Sequence, residues 1–400
     1  MSVDFRFIKT ETLHRIAEVI ATYLIRNKDL QVHLRDIPDY IEHNFNKNLK
    51  EIIEKDKSDE DLICFDETNL KDVRFIGDYA LSGWNNLQSL TLPASLGKIG
   101  NYACANAQNL KRVNTPIGNE RTIGIGAFQN CSNLEAIELY GVSSIGEKAF
   151  KDCTKLSWVT LHTPTIGSEA FSGCTSLSSM ITAQTIGDKA FAGCTSLTSI
   201  VLDSDNISNL GDYVFSGCSG INTVNIYGLK RIPNGTFSDC YSIKDFDIIE
   251  TDSCVIGSEA FKNCNFDVIK VNTLLQNVTE IDSFAFYNAL NKDSTTQTTQ
   301  RNLTIPAKTE LIGQYAFSNN DLSTVIFLKN SNLTIKKGAF IDNPNMVIAN
   351  FATLDFIPTL ETSALEIFPD ICTIVVPKSL YAEWKTAPNW SDMEHRIYGS

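Results

Sequence analysis

The stretch IGDKAFAGCTSL, from Ile186 to Leu197, decides the fold because near copies of it recur along the chain. Two of them precede it directly, IGSEAFSGCTSL from Ile166 to Leu177 and IGEKAFKDCTKL from Ile145 to Leu156. A motif that returns at so short an interval indicates a repeat architecture before it indicates a catalytic site. We therefore interpret the cysteine in each copy first as part of a repeat.

The consensus IGxxAFxxCxxLxxIxL describes twelve units, which follow one another at intervals of 20 to 25 residues except for one interval of 31. Their first residues are Ile76, Ile99, Ile123, Ile145, Ile166, Ile186, Leu210, Ile232, Ile256, Ile281, Ile312 and Ile335. The long interval contains the polar insert NKDSTTQTTQR, from Asn291 to Arg301, which is typical of a surface loop.

Within one unit the apolar residues predict a strand and a turn. Leu197, Ile200 and Leu202 bracket polar or exposed positions with the period of two that a strand with one buried side shows. Gly187 permits a sharp turn, after which Phe191 enters the interior. One unit cannot bury these residues alone, so stacked units are expected to form columns of Ile, Phe, Cys and Leu, with parallel strands about 4.8 Å apart.

Composition excludes several classes of function. The chain has 400 residues, 43% of them hydrophobic, and a formal net charge of -13, which argues against binding to nucleic acid. No apolar run reaches the roughly 18 residues that a membrane helix requires, so we expect no membrane span. The N-terminus lacks the pattern of a secretory signal, so we expect synthesis in the cytoplasm.

The eleven cysteines are interpreted as structural. Seven of them share one repeat position: Cys131, Cys153, Cys174, Cys194, Cys218, Cys240 and Cys264. Such a ladder suits small buried residues with a weak hydrogen-bond donor better than it suits disulfides. No CxxC pair or Cys/His cluster indicates zinc, so we expect no metal site.

The chain is predicted to have three parts: a helical attachment element and linker (1–60), the repeat solenoid (61–371) and a C-terminal cap (372–400). Apolar residues at helical spacing predict the first helix, and a second is expected to begin near Asp36 or Pro38. The residues assigned to attachment are Leu13, Ile16, Ile20, Leu24, Ile37 and Ile41. In the cap, Ile374 to Pro377 are expected to form the last strand and Lys378 to Thr386 a helix that covers the open end.

The sequence contains few candidate catalytic residues. None of the five histidines lies beside a Ser, Cys or Asp in a pattern typical of a nucleophile. The glycine-rich GIGIGAF around Gly124 is a copy of the repeat unit, not a phosphate-binding loop. We therefore expect no enzymatic activity and no cofactor.

A binding face is predicted on the strands instead. The outward strand positions that combine aromatic rings with hydrogen-bonding groups are Glu138, Tyr140, Trp158, Thr160, His162, Thr223 and Tyr227. Such a set suits stacking on sugars or anchoring of a protein partner. The alternative is that these rings cover neighbouring strands or fit into a fixed assembly.

The units IGEKAFKDCTKL, IGSEAFSGCTSL and IGDKAFAGCTSL resemble the leucine-rich repeats of the BspA-like, or Treponema, type. The resemblance extends from Ile76 to the end, where VPKSLYAEWKTAPNWSDMEHRI is similar to the cap of bacterial members. It implies an α/β repeat solenoid, a leucine-rich-repeat parallel-sheet coil with a small helical N-terminal element. The family includes surface adhesins, protist proteins and many uncharacterised chains, so it specifies function weakly.

The segment LHRIAEVIATYLIRNKDLQVHLRDIPDYIEHN resembles a short element at the front of bacteriophage virion proteins, in which a helix of the form IAxAIR precedes a DMPxxI segment. The matching positions are Ile16, Ala17, Ile20 and Arg26, then Asp36, Ile37, Pro38 and Ile41. Tyr23 and Leu24 depart from the charged, glycine-rich middle of that element. The resemblance implies that the N-terminal helices attach the protein to a particle.

These inferences predict a non-enzymatic, virion-associated bacteriophage protein of the tail, fibre or capsid, assembled in the host cytoplasm. Its helices would bind other virion proteins, and its repeats would adhere to a host-surface protein or glycan or to a neighbouring virion protein, as part of a multimer. One alternative is a cellular BspA-like adhesin at the bacterial surface. Another is an intracellular protein-binding scaffold.

Overall fold

A computed structural model describes residues 63–65, 75–85, 87–114, 120–161, 164–179, 183–249, 253–290, 301–330 and 332–400. The predicted attachment residues and His162 lie outside these ranges, as does the insert up to residue 300. The described residues form two compact units. Unit 1 ends at Thr175 and includes Ala183, and unit 2 comprises residues 176–179 and Gln184–Ser400.

Unit 1 is built from coils that each contribute one longer and one shorter strand. The longer strands form a parallel sheet of β1 (Ile63–Phe65), β3 (Leu87–Thr91), β5 (Arg112–Asn114), β7 (Ala136–Leu139) and β9 (Trp158–Leu161). The shorter strands pair in parallel as β2 (Phe75–Ile76), β4 (Lys98–Ile99), β6 (Arg121–Ile123), β8 (Val142–Ile145) and β10 (Thr165–Ile166).

Unit 2 repeats this plan. Its longer strands form two parallel sheets, β12 (Ser199–Asp203), β14 (Thr223–Tyr227) and β16 (Asp245–Ile249), then β19 (Asn302–Ile305), β21 (Thr324–Phe327), β23 (Ile348–Asn350), β25 (Thr373–Val376) and β26 (Ile397–Gly399). Its shorter strands are β11 (Thr185–Ile186), β13 (Asn209–Leu210), β15 (Arg231–Ile232), β17 (Cys254–Ile256), β18 (Val278–Ile281), β20 (Leu311–Ile312), β22 (Thr334–Ile335) and β24 (Thr359–Leu360).

The helices in the described part of the chain are few and short. They are α1 (Val268–Leu274), α2 (Tyr381–Thr386) and the 3-10 turns Leu275–Asn277, Ala364–Glu366, Lys378–Leu380 and Ser391–Arg396. None of them is long and apolar enough to cross a membrane. The predicted fold class, a parallel-sheet solenoid of about twelve turns, is confirmed.

The phenylalanine of the consensus forms a continuous column within each unit. In unit 1 the rings of Phe128, Phe150 and Phe171 stack at centroid distances of 5.2 and 5.1 Å. In unit 2 the column comprises Phe191, Phe215, Phe237, Phe261, Phe286, Phe317, Phe340 and Phe368, at distances from 5.2 to 5.7 Å. The first two units have Leu81 and Cys104 at this position, and each later coil supplies one ring. Stacking with its neighbours adds to the gain from burial.

Helix α1 takes the place of a longer strand between β16 and β19. The side chain of Asp267 caps its N-terminus by accepting from the Ile269 N–H at 2.8 Å. The Asn272 amide donates to the Asn302 carbonyl at 2.9 Å and accepts from the Thr304 N–H at 2.8 Å. Because a neighbouring parallel strand would pair with alternate residues in the same way, Asn272 completes the hydrogen bonding at the edge of β19.

The C-terminal cap differs from its prediction in one element. The helical segment after β25 was expected and is present, but the chain then returns to add β26, so Ile374 to Pro377 is not the last strand. The three residues of β26 are too few to show a periodic pattern. Trp384 and Trp390 are fully buried beside Phe351, with ring centroids 5.1 and 5.4 Å from its ring.

The residue three positions after the start of each unit has a left-handed backbone. In two successive coils this position is occupied by Tyr213, with φ of 57°, and Gly235, with φ of 58°. The Tyr213 ring lies over Gly235, where an added Cβ would stand 2.1 Å from the ring. The Tyr213 ring therefore occupies the space that a side chain at Gly235 would need, whereas other coils hold a side chain at this position, such as Tyr102, which stacks on Tyr79.

We predict that Gly235→Ala lowers the free energy of unfolding by about 2–4 kcal/mol, because the left-handed conformation costs about 1–2 kcal/mol and the overlap with Tyr213 costs more. The matched control is Gly217→Ala, which also has a positive φ, 73°, but whose added Cβ would meet nothing closer than 3.8 Å. Urea unfolding of both variants measures the difference. Equal losses would show that the Tyr213 ring moves aside without cost.

Candidate functional site

The outer face of the sheet in unit 1 carries two rows of outward side chains, set by the register of its strands. The first row is Ser89, Arg112, Ala136 and Trp158. The second row is Thr91, Asn114, Glu138 and Thr160. Leu90, Val113 and Ile137 lie between the two rows and are buried in the core. The alternation leaves both rows on the outer face.

Trp158 is the most prominent side chain of this face, with 61% of its surface exposed. Its neighbour across the strands is the small Ala136, and beyond Ala136 the exposed Arg112 lies two strands away, roughly 10 Å at ordinary strand spacing. The exposed Glu138 lies in the adjacent row. We call these four residues the Trp158 face. In this face the Trp158 ring, the Arg112 guanidinium and the Glu138 carboxylate surround Ala136. The side chain of Ala136 is only a methyl group.

Tyr140 follows β7 at the margin of the Trp158 face and is exposed. Its backbone carbonyl accepts a hydrogen bond from the guanidinium of Arg121, a side chain with only 1% of its surface exposed. Burial lowers the pKa of Arg121 from its usual value. The buried arginine thus fixes the backbone where the chain leaves the face.

The other predicted binding residues are placed unevenly. Thr160 is paired with Glu138 in the backbone register, and its side chain lies outside the described part of the structure. Thr223 and Tyr227 are half-buried on β14, which belongs to a different sheet in unit 2. The structure therefore brings Glu138, Tyr140 and Trp158 together in one unit and places Thr223 and Tyr227 in the other.

Arg112 was not identified from the sequence. It occupies the same repeat position as Trp158, two residues after the leucine that ends the consensus turn, Leu110 in one unit and Leu156 in the other. Aligning the units at these leucines would have placed Arg112 and Trp158 in one row.

The cysteine ladder is structural, as predicted. The ten cysteines that the structure describes are all buried and free of disulfides. The Cys218 thiol donates to the Phe191 carbonyl of the preceding coil at 3.0 Å, and Cys240 does the same to Phe215 at 3.1 Å. Burial raises the pKa of Cys218 to about 12, so the thiol stays protonated and a poor nucleophile.

The described residues gather no three His, Cys, Asp or Glu side chains in a way that could hold a metal ion. Of the five histidines, only His395 lies in the part of the chain that the structure covers, in the last 3-10 turn.

The family model of the BspA type leucine-rich repeat region matches residues 62–178, 164–293 and 291–383. The chain belongs to this family. Comparison with curated proteins found no match.

Among solved structures, the chain is similar to a leucine-rich repeat protein from Bacteroides ovatus, with 22% identity over 77% of this chain and 76% of that one and a TM-score of 0.50. It is also similar to a leucine rich cell surface protein from Faecalibacterium prausnitzii, with 20% identity, coverage of 75% and 86%, and a TM-score of 0.43. The T. pallidum leucine-rich repeat protein shares 21% identity over 47% of this chain and 79% of its own, with a TM-score of 0.32. At these identities the likeness concerns the fold alone.

The predicted virion role has no support in these comparisons. The family match begins at residue 62, and it does not support the virion element predicted before that residue. The family match indicates adhesion or protein binding, and it favours the alternative prediction of a BspA-like surface adhesin over the virion role.

Proposed function

We propose that this BspA-type protein is a non-enzymatic adhesin of the cell surface that binds another protein through the Trp158 face. The observation that carries the proposal is the exposed Trp158 ring, which stands beside the small Ala136 with Arg112 on the other side. Tryptophan and arginine are the residue types that most often dominate the binding energy of protein interfaces. The family supports the location, since many BspA-like repeat proteins belong to the cell surface.

The chemistry of the Trp158 face suits a partner loop with an apolar side chain and a nearby charge. An apolar group placed over Ala136 would bury one side of the Trp158 ring, which contributes about 25 cal/mol for each Å² removed from water. Arg112 and Glu138 offer opposite charges in adjacent rows, so they set the orientation of the partner more than its affinity.

We predict that Trp158→Ala reduces adhesion about tenfold, the effect of losing on the order of 1.4 kcal/mol at a central aromatic contact. The full chain is displayed on a non-adherent bacterium, and adherence to cultured epithelial cells is counted before and after trypsin treatment of those cells. The control is Tyr241→Ala, because Tyr241 is as exposed, 57%, but lies outside the Trp158 face in unit 2.

Three outcomes would contradict the proposal. If bacteria that display Trp158→Ala adhere as well as those with the wild type, the Trp158 face is not the binding site. Adherence that survives trypsin treatment would indicate a partner other than a protein. Antibody labelling of the source cells only after permeabilisation would favour the intracellular scaffold.

A further inference from the structure

The last sheet of unit 2 presents an outer face that differs in character from the Trp158 face. Its outward side chains form two rows in register, Asn302, Thr324, Ile348 and Thr373 in one and Thr304, Ile326, Asn350, Val375 and Tyr398 in the other. The alternate residues Leu303, Val325, Ala349, Ile374 and Ile397 are buried in the core. We call the nine outward residues the C-terminal face.

None of the nine outward residues of the C-terminal face carries a charge, although 20% of the chain is Asp, Glu, Lys or Arg. The other longer-strand sheets are charged on the same side: Asp245 and Asp247 point outward from β16, and Arg112 and Glu138 from β5 and β7. The neutrality is therefore a property of this sheet and not of outward strand positions in general.

The C-terminal face is also partly apolar. Ile326, Ile348 and Val375 are half-buried, and Tyr398 has 57% of its surface exposed. Two further apolar side chains stand next to the rows, Val347 immediately before β23 and Ile371 two residues before β25, exposed by 46% and 58%. Water-exposed apolar groups of this kind gain free energy when a second surface covers them.

The net charge of the chain and the absence of charge on the C-terminal face indicate which partner this face would bind. Each copy of the chain carries a formal net charge of -13, so two copies repel one another wherever their acidic surfaces meet. The C-terminal face brings two copies together without opposing charged side chains, whereas a strongly charged partner would gain no ion pair from these nine residues. We propose that the C-terminal face is a weak homophilic contact, where two copies of this chain meet sheet to sheet.

The size of the face sets the strength of the contact. Five strands at about 4.8 Å and about four residues at 3.3 Å cover on the order of 300 Å², well below the roughly 800 Å² per partner of a stable dimer. The contact is therefore weak and reversible in solution, and it becomes effective when many copies are held side by side on one surface. This inference goes beyond the proposed function and does not depend on the Trp158 face.

Sedimentation equilibrium of the full chain tests the contact, over concentrations from about 5 to about 500 µM, which brackets weak dissociation constants. We expect a reversible dimer that tightens several-fold between about 50 and about 500 mM NaCl, because salt screens the repulsion between two acidic molecules and weakens no ion pair. Tyr398→Asp is expected to weaken the dimer at least about tenfold, because the twofold contact then holds two buried like charges.

Matched variants separate this contact from other causes. Ile371→Asp should act like Tyr398→Asp, and circular dichroism and the unfolding midpoint confirm that each variant folds. Tyr241→Asp adds the same charge at a side chain of equal exposure, 57%, and should leave the dimer unchanged, as should Trp158→Ala. A monomer at every concentration, equal effects of Tyr398→Asp and Tyr241→Asp, or a dimer that tightens at low salt would each overturn the proposal.

Discussion

Raising the pH above about 9 should destabilise this protein steeply, because the thiols in its core are held protonated. Burial raises the pKa of Cys218 and of Cys372 to about 12 and that of Cys254 to about 11, from a usual value near 9. In the unfolded chain the same thiols ionise near pH 9. Between these values the folded state holds protons that the unfolded state has released, so the free energy of unfolding falls as pH rises.

The effect accumulates over the buried thiols, both inside and outside the ladder. Each such thiol removes up to about 1.4 kcal/mol of stability per pH unit between its unfolded and folded pKa values. Burial is also the main cause that raises the pKa of Cys104, Cys153 and Cys240. Several thiols acting together remove a large part of the roughly 5–15 kcal/mol that holds a typical protein folded, so we expect cooperative unfolding at alkaline pH.

Urea unfolding at stepped pH from about 8 to about 10.5 measures the slope, and the ultraviolet absorbance of thiolate reports ionisation directly. Cys218→Ala should reduce the slope of the free energy of unfolding against pH by the contribution of one thiol. This substitution has precedents in the chain, since Ala107 and Ala289 occupy the same repeat position and are fully buried. A native protein whose thiols ionise near pH 9, like those of the urea-unfolded chain, would show that burial does not hold their protons.

The repeat made the longer strands predictable. In β12 the residues predicted to face the core, Ile200 and Leu202, are buried, and Ser199 and Val201 between them are exposed. The shorter strands were not predicted. Most of them, such as Thr185–Ile186, have only two residues, and two residues are too few to show a period. A strand that short is visible only once the coils are stacked.

Helix α1 shows where local sequence and tertiary context conflict. Its sequence VIKVNTL is rich in β-branched residues, which favour a strand. The helix forms nonetheless, because Asp267 caps its first turn and Asn272 pairs with two backbone groups of β19. Neither interaction is visible before the positions of neighbouring coils are known.

The candidate site was predictable only in part, because part of it depends on the positions of neighbouring coils. Trp158 and Glu138 are outward because the strand period places them there, and this needed only their own units. The neighbourhood of Arg112, Ala136 and Trp158 depends on register between units of unequal length. The units also differ in the length of the turn that follows the ladder position, where an asparagine replaces the cysteine in two units.

In two later units an asparagine occupies the position of the ladder cysteine, Asn320 in one and Asn343 in the next. Both are almost completely buried. The Asn343 amide donates to the carbonyls of Phe317 and Phe340 at 2.9 and 2.8 Å, as the cysteines donate to the phenylalanine of the preceding coil. Its carbonyl also accepts from the Leu322 N–H at 3.2 Å, which a thiol in the cysteine units does not do.

The turn length gives the reason for this extra acceptor. In most cysteine units a leucine or isoleucine follows three residues after the cysteine, and its N–H can bond to the cysteine carbonyl, as Leu197 does to Cys194 at 3.2 Å. Leu322 follows only two residues after Asn320, so this local bond is replaced by the one from Asn343. The preceding coil is shorter still, and there Asn320 accepts from the N–H groups of Ala289 and Leu290 at 2.9 and 2.8 Å.

We therefore predict that Asn343→Ala lowers the free energy of unfolding by about 2–5 kcal/mol. It removes the partners that Asn343 supplies to the Leu322 N–H and the Phe340 carbonyl, and each buried group left unpaired costs about 1–3 kcal/mol. The Phe317 carbonyl keeps a partner, since Asn320 also donates to it at 2.9 Å. Urea unfolding measures the loss.

Two further substitutions show whether the acceptor is what matters. Asn343→Cys restores a donor to the carbonyls but no acceptor for Leu322, so we expect it to recover only part of the loss. Asn345→Ala removes an exposed bond to Asp321 of 2.6 Å and should cost less than about 1 kcal/mol. If Asn343→Cys is as stable as the wild type, the shortened turn before it does not need the asparagine, and the presence of asparagine at positions 320 and 343 has another cause.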